Sequence, residues 1–108
     1  MSARRVVTTR RADQDIENVV DHYVTEGAHD AAHRFISTLN DLTILLGEYP
    51  SIGSSRFAFA AGVEGVRVVA LSRFPHVAVY SDDADAVRIH RVLHTCRDIP
   101  IELTGSSD

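Results

Sequence analysis

Near its C-terminal end the sequence gathers side chains that could do chemistry: His90, Arg91, His94, Cys96, Arg97 and Asp98. His94 and Cys96 are two apart, so in a strand they share a face, and an imidazole beside a thiol can raise a thiolate nucleophile. The sequence supplies no third group to orient the imidazole, and a partly buried cysteine explains Cys96 equally well. His29 and His33 are one helical turn apart and could reach one metal ion, with His22 or an acid as third ligand. Two polar residues on a solvated helix face have the same spacing. Asp13 and Glu17 resemble a carboxylate pair but also fit a helix surface. Arg67, Arg73, Arg91 and Arg97, with His76 and His94 nearby, form the strongest set. Guanidinium groups suit phosphate, or carboxylates on a protein partner. The structural alternative pairs some of them with Asp15 or Asp98.

These residues must be positioned by a small scaffold. The 108 residues suffice for one domain, with 44% hydrophobic and 24% charged content. Residues 1–101 are expected to form that domain and residues 102–108 a frayed tail. No apolar run reaches the ~20 residues that span a bilayer, and no apolar stretch follows Arg4 and Arg5, so neither a membrane span nor a secretory leader is expected. A lone Cys96 forbids an intrachain disulfide and suits a reducing compartment. All eleven basic residues are arginine, which excludes lysine chemistry. The net charge of −4 is uneven: residues 1–11 carry four arginines and no acid, whereas residues 12–48 carry eight acids and only Arg34. An acidic and a basic face are the expected outcome.

Arg4 to Thr8 reads as a short strand, and Thr8 or Thr9 as the cap of a helix. Ile16, Val19, Val20, Tyr23 and Val24 then recur at helical spacing. Gly27 ends this helix. A second runs from about Asp30 to Glu48, with Ala32, Phe35, Ile36, Leu39, Leu42 and Leu46 as its stripe, widened by Ile44 and Leu45. Tyr49-Pro50 stops it. Gly53 marks a turn, and Phe57 to Ala61 is either a strand or a packed loop. Val66–Leu71, His76–Tyr80 and Val87–Leu93 read as an antiparallel meander. The class is α+β, order β-α-α-β-β-β, with a helical hairpin on one face of an antiparallel sheet and the other face open to a partner. One conflict stands out. Arg91 shares parity with Val87, Ile89 and Leu93, so a regular strand would drive it into the core. It needs a partner, a bulge or a function.

Element order and residues together resemble the RelE/ParE superfamily of toxins from type II toxin–antitoxin systems, closer to its ParE branch. The resemblance rests on Ala12 with Asp15-Ile16 and Val19, Ala32 with Arg34-Phe35, and Leu42, Leu46 and Tyr49-Pro50-Ser-Ile-Gly53. Val66-Arg67, Phe74-Pro-His-Val-Ala-Val-Tyr80, Arg91-Val-Leu-His94 and Arg97-Asp98 complete it. It implies a cytoplasmic protein with no cofactor and no metal. The implied partners are a cognate antitoxin and, for the ParE branch, DNA gyrase as the target; neither membrane nor direct nucleic-acid contact is expected. Partner contacts are expected at Arg67, Val69, Leu71, Arg73, His94 and Arg97, with Val69 and Leu71 exposed on the open sheet face. The alternatives are a RelE-like ribosome-dependent mRNA endoribonuclease, using His94, Arg91 and Arg97, and an inert homologue that only binds its antitoxin. RelE-like members commonly use lysines and a late tyrosine; this chain has no lysine, and its last tyrosine is Tyr80. Two residues depart from the ParE pattern. Cys96 stands where a basic residue is frequent, and His76 where an aromatic or apolar one is.

Overall fold

The computed structural model describes residues 3–55 and 65–95. The elements are β1 (Val6–Thr8), α1 (Arg10–Thr25), α2 (His29–Glu48), β2 (Val66–Ala70), β3 (His76–Asp82) and β4 (Val87–His94). The sheet order is β1-β4-β3-β2. β2, β3 and β4 form the expected antiparallel meander, and β1 adds in parallel beside β4, so the sheet is mixed. The two helices supply the crossover that a parallel β1–β4 pair requires.

Thr9 caps α1: its hydroxyl oxygen accepts from the Ala12 N–H at 3.1 Å, while the same hydroxyl donates to the His90 carbonyl at 3.0 Å. The cap therefore also fixes where α1 leaves the sheet. At the other end Gly27, with φ +76°, closes a Schellman motif. Its N–H donates to Val24 O, and the Ala28 N–H donates to Tyr23 O. That reversal brings α2 back antiparallel to α1.

Ala12, Phe35, Leu39, Leu42 and Leu46 from the helices meet Leu71, Ala78, Tyr80, Val87, Ile89 and Val92 from the sheet side in one core. Ile16, Val19, Val20 and Tyr23 pack against it, as their spacing predicts. The stripe is narrower than expected: Val24, Ile36, Ile44 and Leu45 are exposed, Ile44 by 61%. Ile44 lies about half a helical turn from Leu42 and from Leu46, on the side of α2 away from the sheet.

The expectation of an open second face is overturned. Val66, Val68, Val77, Val79 and Leu93 form a second buried cluster, with Val68 opposite Val79 and Val77 opposite Leu93. β3 is buried at every position from His76 to Ser81. Its near-continuous apolar run, rather than strict alternation, is the sequence signature of a strand covered on both faces.

Tyr80 locks the segment after α2. Fully buried, it donates to the Pro50 carbonyl at 2.7 Å and accepts from the Gly53 N–H at 2.9 Å. A Cβ at residue 53 would lie 2.7 Å from the Tyr80 hydroxyl oxygen, so only glycine fits. Ser54 then bridges to Val68 on the outer edge of β2.

Candidate functional site

The conflict at Arg91 is resolved by a bulge and a partner together. Val79 pairs with Arg91, but the next residue, Tyr80, pairs with Ile89, so His90 is an extra residue in β4. The insertion reverses the alternation. Val92 takes the helix-facing position after Ile89, Leu93 falls into the second cluster, and Arg91 is released from the core-facing row. Its Nε and one terminal nitrogen donate to the Asp15 carboxylate at 2.8 and 3.2 Å. The Val92 N–H donates to the same carboxylate at 3.0 Å. β1 covers β4 only from Val87 to Ile89, so Asp15 satisfies a backbone donor where the neighbouring strand has ended. A carboxylate on that edge also discourages another strand from pairing there. Ser81 steadies the bulge from β3, with its Oγ 2.8 Å from His90 Nε2.

Beside this pair lies a cleft of about 630 Å³. One row of α1, Asp15, Asn18 and His22, forms one wall, a spacing of three and four residues that stacks side chains along a helix. Arg91, Val92 and His94 of β4 form the other, and Pro75 and His76 close one end. An aromatic series leads from the core into it. Phe35 meets Phe74 and His76 edge-on, each with centroids 5.3 Å apart, and His76 meets His94 at 5.2 Å. His76 is 4% exposed. It sits where the resemblance favours an aromatic or apolar residue, and its surroundings suit one. His22 and Asn18 enter the site only through the fold. The helical period counted from Asp15 is the signal that places them beside it.

The other sequence-predicted residues do not assemble here. Leu71 is 3% exposed, part of the helix–sheet core, and half-buried Val69 packs against that core. Both were expected to be exposed; the helices lie on their face of β2, whereas Val66 and Val68 point to the other. Arg67 donates to the Gly53 carbonyl at 2.8 Å and so ties the loop after α2 to β2. Arg73 is exposed in the β2–β3 turn and holds φ +68°, a left-handed conformation unusual for a residue with a side chain. Cys96, Arg97, Asp98 and Phe57–Ala61 lie outside the described residues. Among the described residues no group of three or more His, Cys, Asp or Glu has an arrangement fit to hold a metal ion, His22, His29 and His33 included.

A separate ionic cluster closes the opposite end of the sheet. Arg88 bridges Asp83 and Asp85, and Arg4 reaches Asp82 at 3.0 Å. A hydrogen bond from Ser81, with Arg88 alongside, lowers the Asp83 pKa; hydrogen bonding from Arg88 lowers that of Asp85. The pKa of Tyr80 is raised, chiefly by burial.

The family model described as ParE toxin of type II toxin–antitoxin system, parDE, matches residues 6–99. No curated protein matches. Among solved structures, a chain titled "Chromosomal ParDE TA system from P. aeruginosa" superposes with a TM-score of 0.69 at 24% identity. The alignment covers 85% of this chain and 96% of that one. That likeness speaks for the fold, and the family match, which spans both helices and all four strands, speaks for descent. The chain therefore belongs to the ParE toxin family of type II toxin–antitoxin systems.

Proposed function

We propose that this chain is a toxin that inhibits DNA gyrase by binding, without chemistry of its own, and is neutralised by a co-encoded antitoxin in the cytoplasm. Family membership supports the toxin role. The observation that supports binding over RNA cleavage is the state of Arg91. Metal-free cleavage needs a cation to neutralise the phosphate and an acid and base for the two oxygens. Arg91 donates two hydrogen bonds to Asp15, so a phosphate would have to displace a charge-assisted pair. Tyr80, the last tyrosine, is buried and bonded to Pro50 and Gly53, far from an acid's role. The contact surface then comprises the exposed Arg73 turn and the His94 rim of the cleft, with Arg97 following in sequence; Leu71 and Val69 serve the core instead.

The test is gyrase-driven supercoiling of relaxed plasmid with the purified chain titrated in. Inhibition is expected, and Arg73→Glu should weaken it several-fold without changing the thermal midpoint by more than a few degrees. Undiminished supercoiling at saturating chain removes the gyrase reading. Message cut on programmed ribosomes, and lost in His94→Ala, would move the assignment to ribonuclease.

A further inference from the structure

The backbone of Arg73 is in a conformation that its residue type disfavours. Among the described residues it is the one non-glycine position with positive φ, at +68°. In that left-handed geometry Cβ crowds a neighbouring carbonyl oxygen, a clash that glycine lacks. The turn between β2 and β3 imposes the geometry from several sides. The Leu71 N–H donates to the His76 carbonyl at 2.9 Å, so residues 72–75 must reverse the chain between them. Phe74 is drawn against the core, edge-on to Tyr23 and Phe35 with centroids 6.1 and 5.3 Å apart. The Pro75 carbonyl accepts from the Thr95 N–H at 2.9 Å and from its hydroxyl at 3.3 Å. These contacts fix the turn whatever side chain stands at residue 73, and a glycine there would meet no clash.

Nothing among the described residues accounts for an arginine at this position. Arg73 is exposed, and its guanidinium makes no hydrogen bond or ion pair with a described residue. Arg4, Arg67, Arg88 and Arg91, by contrast, are each bonded to an acid or a carbonyl. Arg10, Arg11 and Arg34 are exposed too, but they lie in α1 and α2, where arginine is a good helix former and no strain attends it. Arg73 alone joins a left-handed backbone to a braced turn and an uncommitted cation. Strain of this kind persists where the surroundings hold it in place, and it clusters where side chains act on partners. The bracing also favours binding, because the backbone beneath the cation is ordered before a partner arrives.

We infer that Arg73 anchors the chain on gyrase, its guanidinium seated against oxygen acceptors of the gyrase protein, and that the fold is less stable for carrying it. The inference rests on the gyrase reading above and narrows it from a surface to one side chain. The acceptor is placed on protein rather than on DNA because a polyanion is held by several cations spread along it. The turn offers one: Ser72, Phe74 and Pro75 flank Arg73, and His76 is buried. A guanidinium directs two hydrogen bonds in one plane, which a lysine of equal charge does not reproduce. The two roles open to Arg73 differ in sign. A residue that serves the turn loses stability when replaced by glycine, whereas one that serves a partner gains stability and loses binding.

The experiment compares the intact wild-type chain with Arg73→Gly and Arg73→Lys in three measurements: the thermal midpoint, inhibition of gyrase supercoiling, and binding to gyrase with no DNA present. Arg73→Gly should melt about 2–5 °C higher as the strain is relieved, while inhibition and DNA-free binding both weaken about tenfold. Arg73→Lys keeps the charge and the strain, so its midpoint should match the wild type while its binding weakens about threefold. A lower midpoint in the glycine variant, undiminished inhibition by it, or full binding by the lysine variant would each overturn the proposal. So would wild-type binding that appears only when DNA is added. A wild-type chain that neither binds gyrase nor inhibits it removes the gyrase reading and the anchor together. An active wild type with an equally active glycine variant removes the anchor alone.

Discussion

Asp15 accepts three hydrogen bonds, from Arg91 Nε, from an Arg91 terminal nitrogen and from the Val92 N–H. Removing it leaves a part-buried guanidinium without this carboxylate and a backbone donor without its acceptor. Asp15→Ala should destabilise the fold by about 2–4 kcal/mol, and Asp15→Asn by clearly less, since the amide oxygen still accepts from Val92. Urea unfolding midpoints measure both, and equal losses would show that the charge rather than the acceptor matters. Tyr80 is the second residue with an outsized role. Tyr80→Phe strands the Pro50 carbonyl and the Gly53 N–H and should cost about 1–3 kcal/mol. The hydroxyl also sets an alkaline limit. Its pKa is raised above the ordinary value of 10.0, so from pH 10 upward the unfolded chain loses the proton first and stability falls. The phenylalanine variant should show a shallower alkaline decline.

At the scale of elements, β4 is two half-strands joined at His90. Before the bulge Val87 and Ile89 face the helices; after it Val92 does. The sequence displayed the problem as an arginine on the apolar parity, and it named Asp15 among the acids able to answer it. The bulge itself carried no mark: His90 is neither glycine nor proline, and the shift becomes visible only when β3 is laid alongside. The narrower stripe of α2 has a similar cause. Periodicity says which residues share a face, but the width of the face actually covered depends on how the helix sits over the sheet. The loop between β3 and β4 makes a prediction of its own. Asp83 and Asp85 have pKa values held below the ordinary 3.8 by Ser81 and Arg88. Their stabilisation is present above about pH 4 and is lost as pH falls through the depressed range. Arg88→Gln should flatten the acid limb of a stability–pH profile, and high salt should do so partially, because the carboxylates meet solvent.

For the whole molecule, covering the sheet on both faces changes where partners can bind. A helical hairpin on one side and an exposed apolar sheet on the other would have invited association through the sheet. With Val66, Val68, Val77, Val79 and Leu93 buried, the features that the described residues offer include the polar cleft, the Arg73 turn and the exposed outer side of α2. Among the described residues no helix is long and apolar enough to cross a membrane.

By itself the sequence determined the order of elements, the caps and stops of the helices, and most of the core. Those depend on local periodicity, on Thr9, Gly27 and Pro50, and on side-chain types that neighbours in sequence suffice to specify. Its motifs also carried the family. Tertiary structure alone decided which face of each strand is covered, that β1 lies parallel to β4, and that His22, His76 and His94 share one cleft with the Asp15–Arg91 pair. Those facts depend on strand register and on contacts between distant segments. One inserted residue in β4 reverses every side chain after it, and no local pattern records that reversal.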